Sequence, residues 1–579
     1  MRRRPAPVAR IFLIVILIVC LFGGCALYKR FSPSREMADL NQVYDVSGDQ
    51  AALVVNGELS LYKGVLSEGT VYLDLDTVKV LLNSGFYWDR ESGQLLYTNA
   101  LSTYTAQIGG NACSETGGEP RVMAHTIAYE NGETLYVSVE YAALFTDMDY
   151  SIYEEPARLV IGLGNEERTR AVVSKDAAIR RLGGIKSEVV RKAPAGTPVT
   201  VLYEMENWSE VCTDDGYMGY IQNKVLKEYT QSVRESSFYE PEYTSISFDH
   251  KITLVWHQVF EAKENEKLSE LIGQTQGVTV VSPTWFAVDR NDGTFTSIAD
   301  ASYVEQAHAM GIDVWVLIND FNHEISIQQV LASRASRDHL REELVRQVKE
   351  LGADGINIDF EYITQACADD FIQFLRELSA DCRRESLVLS IDNYMPTSGN
   401  AFYDMETQGK IADYVILMGY DEHWDGSEAG SGASISFVDR GISTSLQMVP
   451  AEKLIGGVPF FTRIWTETPE EQAQPGAEIR EDGNSVYARY ALSSEACGME
   501  RAFRVLDENG VVPEWNAELG QYYGEYQTEQ GIVRIWLEDE RSLEEKLKLI
   551  SQNQLAGMAG WKLGLETSGV WPVISQYNH

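Results

Sequence analysis

The run Asp354-Gly355-Ile356-Asn357-Ile358-Asp359-Phe360-Glu361 places a polar side chain at every second position of an apolar stretch and closes on a carboxylate. Read as a strand, it turns Asn357, Asp359 and Glu361 to one face and Ile356, Ile358 and Phe360 to the other. Neighbours in the polar trio then lie roughly 6.6 Å apart along the strand. Acids are rarely buried without a partner or a task, so two acids on one face of an apolar strand mark a candidate site for proton transfer. Asp354 has the opposite parity, and its expected role is structural, bonding the loop or the strand start.

Such a strand needs a scaffold. From about residue 248 apolar strands alternate with helical patterns: Ile252–Val255, Val278–Ser282, Val314–Ile318, Gly355–Glu361, Leu387–Ile391, Tyr414–Met418, Leu454–Val458 and Gly557–Trp561. One intervening helix is expected to start at a Ser336 cap, to carry Leu340, Leu344, Val345, Val348 and Leu351 as its stripe, and to stop at Gly352. A second spans about Cys367 to Cys382. Eight strands with helices between them predict an α/β fold, a (β/α)8 TIM barrel. Residues 248–579 exceed the ~250 usual for that fold. The excess falls on 466–535, polar and rich in Tyr and Glu, which reads as a subdomain inserted after strand seven.

In such barrels the working residues sit at the carboxyl ends of the strands. Glu361 ends the fourth strand, Met418, Tyr420 and Asp421 lie at the end of the sixth, and Trp561 ends the eighth. Asn319 and Asp320 follow strand three, and Asn393 and Tyr394 follow strand five, as further contact candidates. His423 and Trp424 either line the mouth or only form a loop; Trp285 and Phe286 are either platform or core.

The rest of the chain sets limits. A net charge of −38 excludes nucleic acid as a natural partner. Seven scattered cysteines without a C-x-x-C pair, and eight histidines without a close pair, argue for neither a disulfide framework nor a metal site. No cofactor is expected. Arg2, Arg3, Arg4 and Arg10 precede an apolar run from Ile11 to about Tyr28. A run of ~18 apolar residues can just span a bilayer, with the basic flank inside and the rest of the chain outside. Residues 1–30 are therefore expected to be a single-pass anchor in the cell membrane, with lipidation at Cys25 or cleavage and secretion as alternatives. Residues 31–47 read as a tether.

Residues 48–165 are β-rich and resemble the copper amine oxidase N-terminal-like module of anchored bacterial surface proteins, with no metal-ligand cluster. Residues 168–230, through Trp208 and Gly216-Tyr217-Met218-Gly219-Tyr220-Ile221, resemble a bacterial Src-homology-3-type domain, a module that often binds cell-wall peptides. Trp208, Tyr217 and Tyr220 are either its small core or its contact surface.

The barrel resembles glycoside hydrolase family 18, the chitinase-like enzymes. Asp354 to Glu361 matches the D-x-x-D-x-D-x-E signature, Met418-Gly419-Tyr420-Asp421 the M-x-Y-D segment, and Trp561 the strand-eight tryptophan. Gly355 to Glu361 and Ile535-Trp536-Leu537-Glu538-Asp539 look most like the spore-germination and cortex-lytic branch. The resemblance implies cleavage of β-1,4-linked N-acetylglucosamine glycans, peptidoglycan or chitin-like. It implies Glu361 as the acid and Asp359 as orienter of the sugar's own acetamido group, the nucleophile of a substrate-assisted retaining mechanism. It implies Tyr420 as holder of the acetamido oxygen, Asp421 as support and Trp561 as the stacking surface. Asn357 stands where chitinases usually carry Asp, so Asp359 is expected to lose a like-charged neighbour and to ionise more easily. The alternatives are a catalytically silent glycan-binding protein and a wall-binding adaptor working through residues 31–230.

Overall fold

The computed structural model describes residues 12, 14–19, 28–469 and 490–578, and the backbone of 479–480. The expected membrane-spanning run lies mostly outside the described residues; among those described, no helix is long and apolar enough to cross a membrane. The chain divides into two compact units, the first made mainly of residues up to Glu240 and the second mainly of Pro241–His579.

In the first unit, a seven-stranded sheet built around Gln50–Val55 buries Leu53, Val71, Leu73, Val137 and Leu159. A second seven-stranded sheet, built from strands between Arg168 and Ser232, encloses Val173, Ile179, Val199, Val211 and Ile221. Trp208, Tyr217 and Tyr220 are only partly buried and stand outside that core. Tyr217 instead lies between the guanidinium groups of Arg158 and Arg191, 4.2 and 4.3 Å from its ring centre. Residues 31–47 are not a simple tether. Leu40–Tyr44 forms a short helix capped by Asp39, and Tyr44 is buried with its hydroxyl donating to the Gly216 carbonyl at 2.7 Å. The apolar Val43, Tyr44 and Val46 within a polar stretch are what draw it in.

The second unit is a closed barrel of eight parallel strands: Ile252–His257, Val280–Pro283, Asp313–Asn319, Gly355–Asp359, Val388–Tyr394, Tyr414–Met418, Leu454–Pro459 and Gly557–Trp561. The first strand pairs with both the second and the eighth, and the second with the third, so no edge is left open among these strands. Both faces of the strands are buried, one against helices and one inside the barrel. Isoleucines of the fourth strand therefore meet the helices while Asn357 and Asp359 face inward. Register fixes the layers: Asn357 lies beside Ser390, and Ile358 beside Ile391.

The helix after strand three runs Arg334–Leu351 and ends at Gly352, whose φ of 71° suits a residue without Cβ. Its N-cap position is Ser333, about one helical turn before the expected Ser336. Ser336 lies within the helix and donates to the Asn291 carbonyl at 3.1 Å. The helix after strand four is Ala368–Glu385. After strand seven a six-stranded antiparallel sheet, with described strands from Phe461 to Leu537, packs the helix Met499–Glu508 against its Ile535 and Leu537.

Candidate active site

The fourth strand ends at Asp359, so Glu361 does not close it as expected but stands two residues beyond, on the turn leaving the barrel. That turn is held from two sides. The carboxylate of Asp320, which follows strand three, accepts the backbone N–H of Glu361 at 2.9 Å and of Tyr362 at 3.0 Å. The Tyr403 hydroxyl lies 3.2 Å from the carbonyls of Phe360 and Glu361, donating to them. Tyr394, the last residue of strand five, donates its hydroxyl to Glu361 Oε2. Burial raises the Glu361 carboxyl above the ordinary glutamate range, Tyr394 opposes this, and Asp421 adds to it. A raised glutamate remains protonated nearer neutral pH, as a general acid must.

Asp359 is 5% exposed, and its Oδ1 has no hydrogen-bond partner among the described residues. Burial, then Asp392, Glu361 and Asp320, push it well above the usual aspartate range. Asn357 itself carries no charge, but a second acid, Asp392 on the neighbouring strand, stands beside Asp359 and adds to the effect of burial. Asn357, fully buried, accepts from Trp256 Nε1 and from Ser282 Oγ at 3.0 Å each, and donates to Asp392 Oδ1 at 2.8 Å. It is a strut across four strands rather than a residue at the open mouth.

Aromatic rings wall the inner end. Trp256 meets Tyr420 at 6.4 Å and 90°, and Trp561 at 5.8 Å and 63°. Tyr420 meets Phe461 edge-on at 5.9 Å. The Tyr420 hydroxyl is held well above its usual range by burial and then by Asp392, Asp359, Glu361 and Asp421, so it stays a donor. Met418 is buried at the end of strand six. Asp421 is more open and faces Arg463, with Oδ1 to Nη2 at 3.7 Å.

The structure brings Glu361, Asp359, Asn357, Tyr420, Asp421, Met418 and Trp561 to one end of the barrel. Asp354 lies at the other end, its Oδ2 accepting from Val314 N–H and pairing with His308 Nε2, both at 2.8 Å. Asn393 does not face the site. Its amide bonds Gln408 on the outer helix at 2.6 Å, because it alternates with the inward Asp392. Asn319 is spent on the Phe286 carbonyl and the Phe321 N–H. Trp285 and Phe286 are core, with Trp285 Nε1 donating to Asn265 at 2.8 Å. His423 bonds the Glu428 carbonyl within its own loop, and Trp424 is exposed. Sequence reasoning missed Asp392, Trp256 and Arg463. Asp392 was detectable only as an acid directly after the apolar run that ends at Ile391.

An eight-stranded parallel barrel with a raised glutamate, a partnerless buried aspartate and aromatic walls at its carboxyl end has the make-up of a glycosidase. Residues 254–566, more than half of the chain, match the family described as glycosyl hydrolases family 18, and the chain belongs to that family. Residues 176–227 match the bacterial SH3 domain. A Bacillus subtilis (strain 168) protein provisionally described as a sporulation-specific glycosylase is 31% identical over 257 residues, 43% of this chain and 56% of that protein. The cortical fragment-lytic enzyme of the same organism is 26% identical over 257 residues, with the same coverage of 43% and 56%. The chain thus spans about half the length of these curated relatives. Among solved structures, the C-terminal domain of a provisionally assigned chitinase from Desulfitobacterium hafniense DCB-2 has the same fold, with a TM-score of 0.50 and 22% identity over 57% of this chain and 99% of that one.

Proposed function

We propose that this protein cleaves β-1,4-linked N-acetylglucosamine glycans, peptidoglycan foremost, by a substrate-assisted retaining mechanism. The observation that carries this reading is Asp359 Oδ1, buried without a partner two residues from a glutamate that burial raises above its ordinary range. A substrate acetamido N–H supplies the missing donor. Asp359 then orients the acetamido oxygen toward the anomeric carbon and balances the positive charge of the oxazolinium that forms. Glu361 gives its proton to the leaving oxygen and takes one back from the water that opens the ring. Tyr420 donates to the acetamido oxygen, Asp421 supports the mouth, and Trp561 stacks on the apolar face of the sugar.

The substrate choice is supported by the relative described as a cortical fragment-lytic enzyme and by the SH3 domain ahead of the barrel. The basic residues and apolar run at the N-terminus support attachment to the cell membrane with the barrel outside, next to the wall. Residues 48–165 are read as a copper amine oxidase N-terminal-like module of such surface proteins. The mechanism is tested with a matched pair of oligosaccharides, chitotetraose and its fully de-N-acetylated form, followed by proton NMR. Cleavage of the acetylated form alone, with the β-anomer appearing first, is the expected result. Equal cleavage of both, or the α-anomer first, would contradict it.

A further inference from the structure

Asp392 has no task in the reaction just described, yet the barrel interior holds it firmly. It is 4% exposed on the fifth strand. Because Ile358 pairs with Ile391, Asp359 and Asp392 are the next residues along two neighbouring parallel strands, which run about 4.8 Å apart. Asn357 sets the orientation. Its Oδ1 takes both Trp256 Nε1 and Ser282 Oγ, so its amide must turn Nδ2 toward Asp392 Oδ1. Among the described residues no lysine, arginine or histidine forms an ion pair with Asp359 or Asp392. Two adjacent buried carboxylates without a cation cannot both ionise at ordinary cost, and such a pair titrates as a unit.

We propose that Asp392 is the proton partner of Asp359: the two carboxyl groups hold one proton between them, and Asp392 takes it when Asp359 must carry the charge opposite the acetamido group. The proposal rests on the substrate-assisted reading above. The proton passes from Asp359 to Asp392 as the oxazolinium forms and returns when the intermediate is hydrolysed, so the pair neither gains nor loses a proton over the cycle. Asp392 thereby acts through Asp359 and is a positioning residue.

The charged and titratable groups around the pair are Glu361 beyond strand four, Asp320 beyond strand three, Tyr394 and Tyr403 beside strand five, and Tyr420 and Asp421 beyond strand six. Arg463 stands behind Asp421. Strands one, two and eight present Trp256, Ser282 and Trp561, which carry no charge. Burial and then Glu361 lift Asp392 to about 8, against the hydrogen bond from Asn357. Around neutral pH it therefore holds a proton to share.

The test is the pH profile of kcat on chitotetraose for wild type and Asp392→Asn. Asparagine keeps an acceptor for Asn357 Nδ2 but cannot hold the shared proton. In the wild type the neutral partner favours the first ionisation of the pair, and that ionisation sets the acid limb. Without it Asp359 titrates alone in a buried site, so the limb is expected to move up by on the order of one pH unit, with KM changed less than threefold. The double variant Asn357→Asp/Asp392→Asn restores a second acid beside Asp359 and is expected to bring the limb back. A limb that stays in place, moves down, or is not restored by the double variant would overturn the proposal. Should Asp392→Asn fail to fold, Asp392→Ser is read in the same way. The de-N-acetylated substrate reports separately on the mechanism beneath, so the failure of one is distinct from the failure of the other.

Discussion

Two opposed influences act on Glu361, burial that favours its protonated form and the Tyr394 hydroxyl that favours its charged form. Tyr394→Phe removes only the second. The Glu361 pKa then rises, the acid stays protonated further into the alkaline range, and the alkaline limb of kcat/KM is expected to move to higher pH. A pH-rate series on chitotetraose reads this, and a downward shift would mean that Tyr394 supports the proton rather than the charge. At this scale the sequence was informative where alternation along one strand was enough. Asp359, Glu361, Tyr420 and Trp561 all reach the same end of the barrel. What alternation along one strand leaves out is the neighbour across the ladder. Asp392 lay one residue past the strand as read to Ile391, whereas strand five runs on to Tyr394. The acidic surroundings of Asp359 therefore could not be read from position 357 alone.

The turn after strand four is positioned by an element it does not belong to. Asp320 reaches from the end of strand three to take two consecutive backbone N–H groups. Asp320→Ala leaves those groups without their acceptor, at a cost of about 1–3 kcal/mol in stability. Displacing Glu361 by even ~1 Å is expected to lower kcat by about a hundredfold. Thermal melting and initial rates measured together check this; Asp320→Asn, which keeps one acceptor oxygen, is expected to lose less of both. A full loss of stability with kcat unchanged would place the effect elsewhere. All eight barrel strands were legible as apolar runs, because a parallel barrel buries both faces of each strand. Their ends were less legible. Strand four stops before Phe360, and the helix expected from Ser336 has its N-cap position a turn earlier at Ser333, since local propensity ranks candidate caps without fixing which one the tertiary fold uses.

The molecule as a whole joins a family 18 barrel to a bacterial SH3 domain on one acidic chain. The alternation of strands and helices after residue 248 made the barrel readable. The segment 31–47 was misread, because a few apolar residues in a polar stretch dock on distant strands that only the fold brings near. Wall cleavage is the central claim, and it needs the barrel's acid and the wall's glycan in one assay. Purified peptidoglycan is incubated with the full chain and, in parallel, with Glu361→Gln, and reducing N-acetylglucosamine ends are counted. The expected result is steady release by the wild type and a rate at least about a hundredfold lower for the variant. Equal release by both proteins, or none by the wild type, would contradict the account.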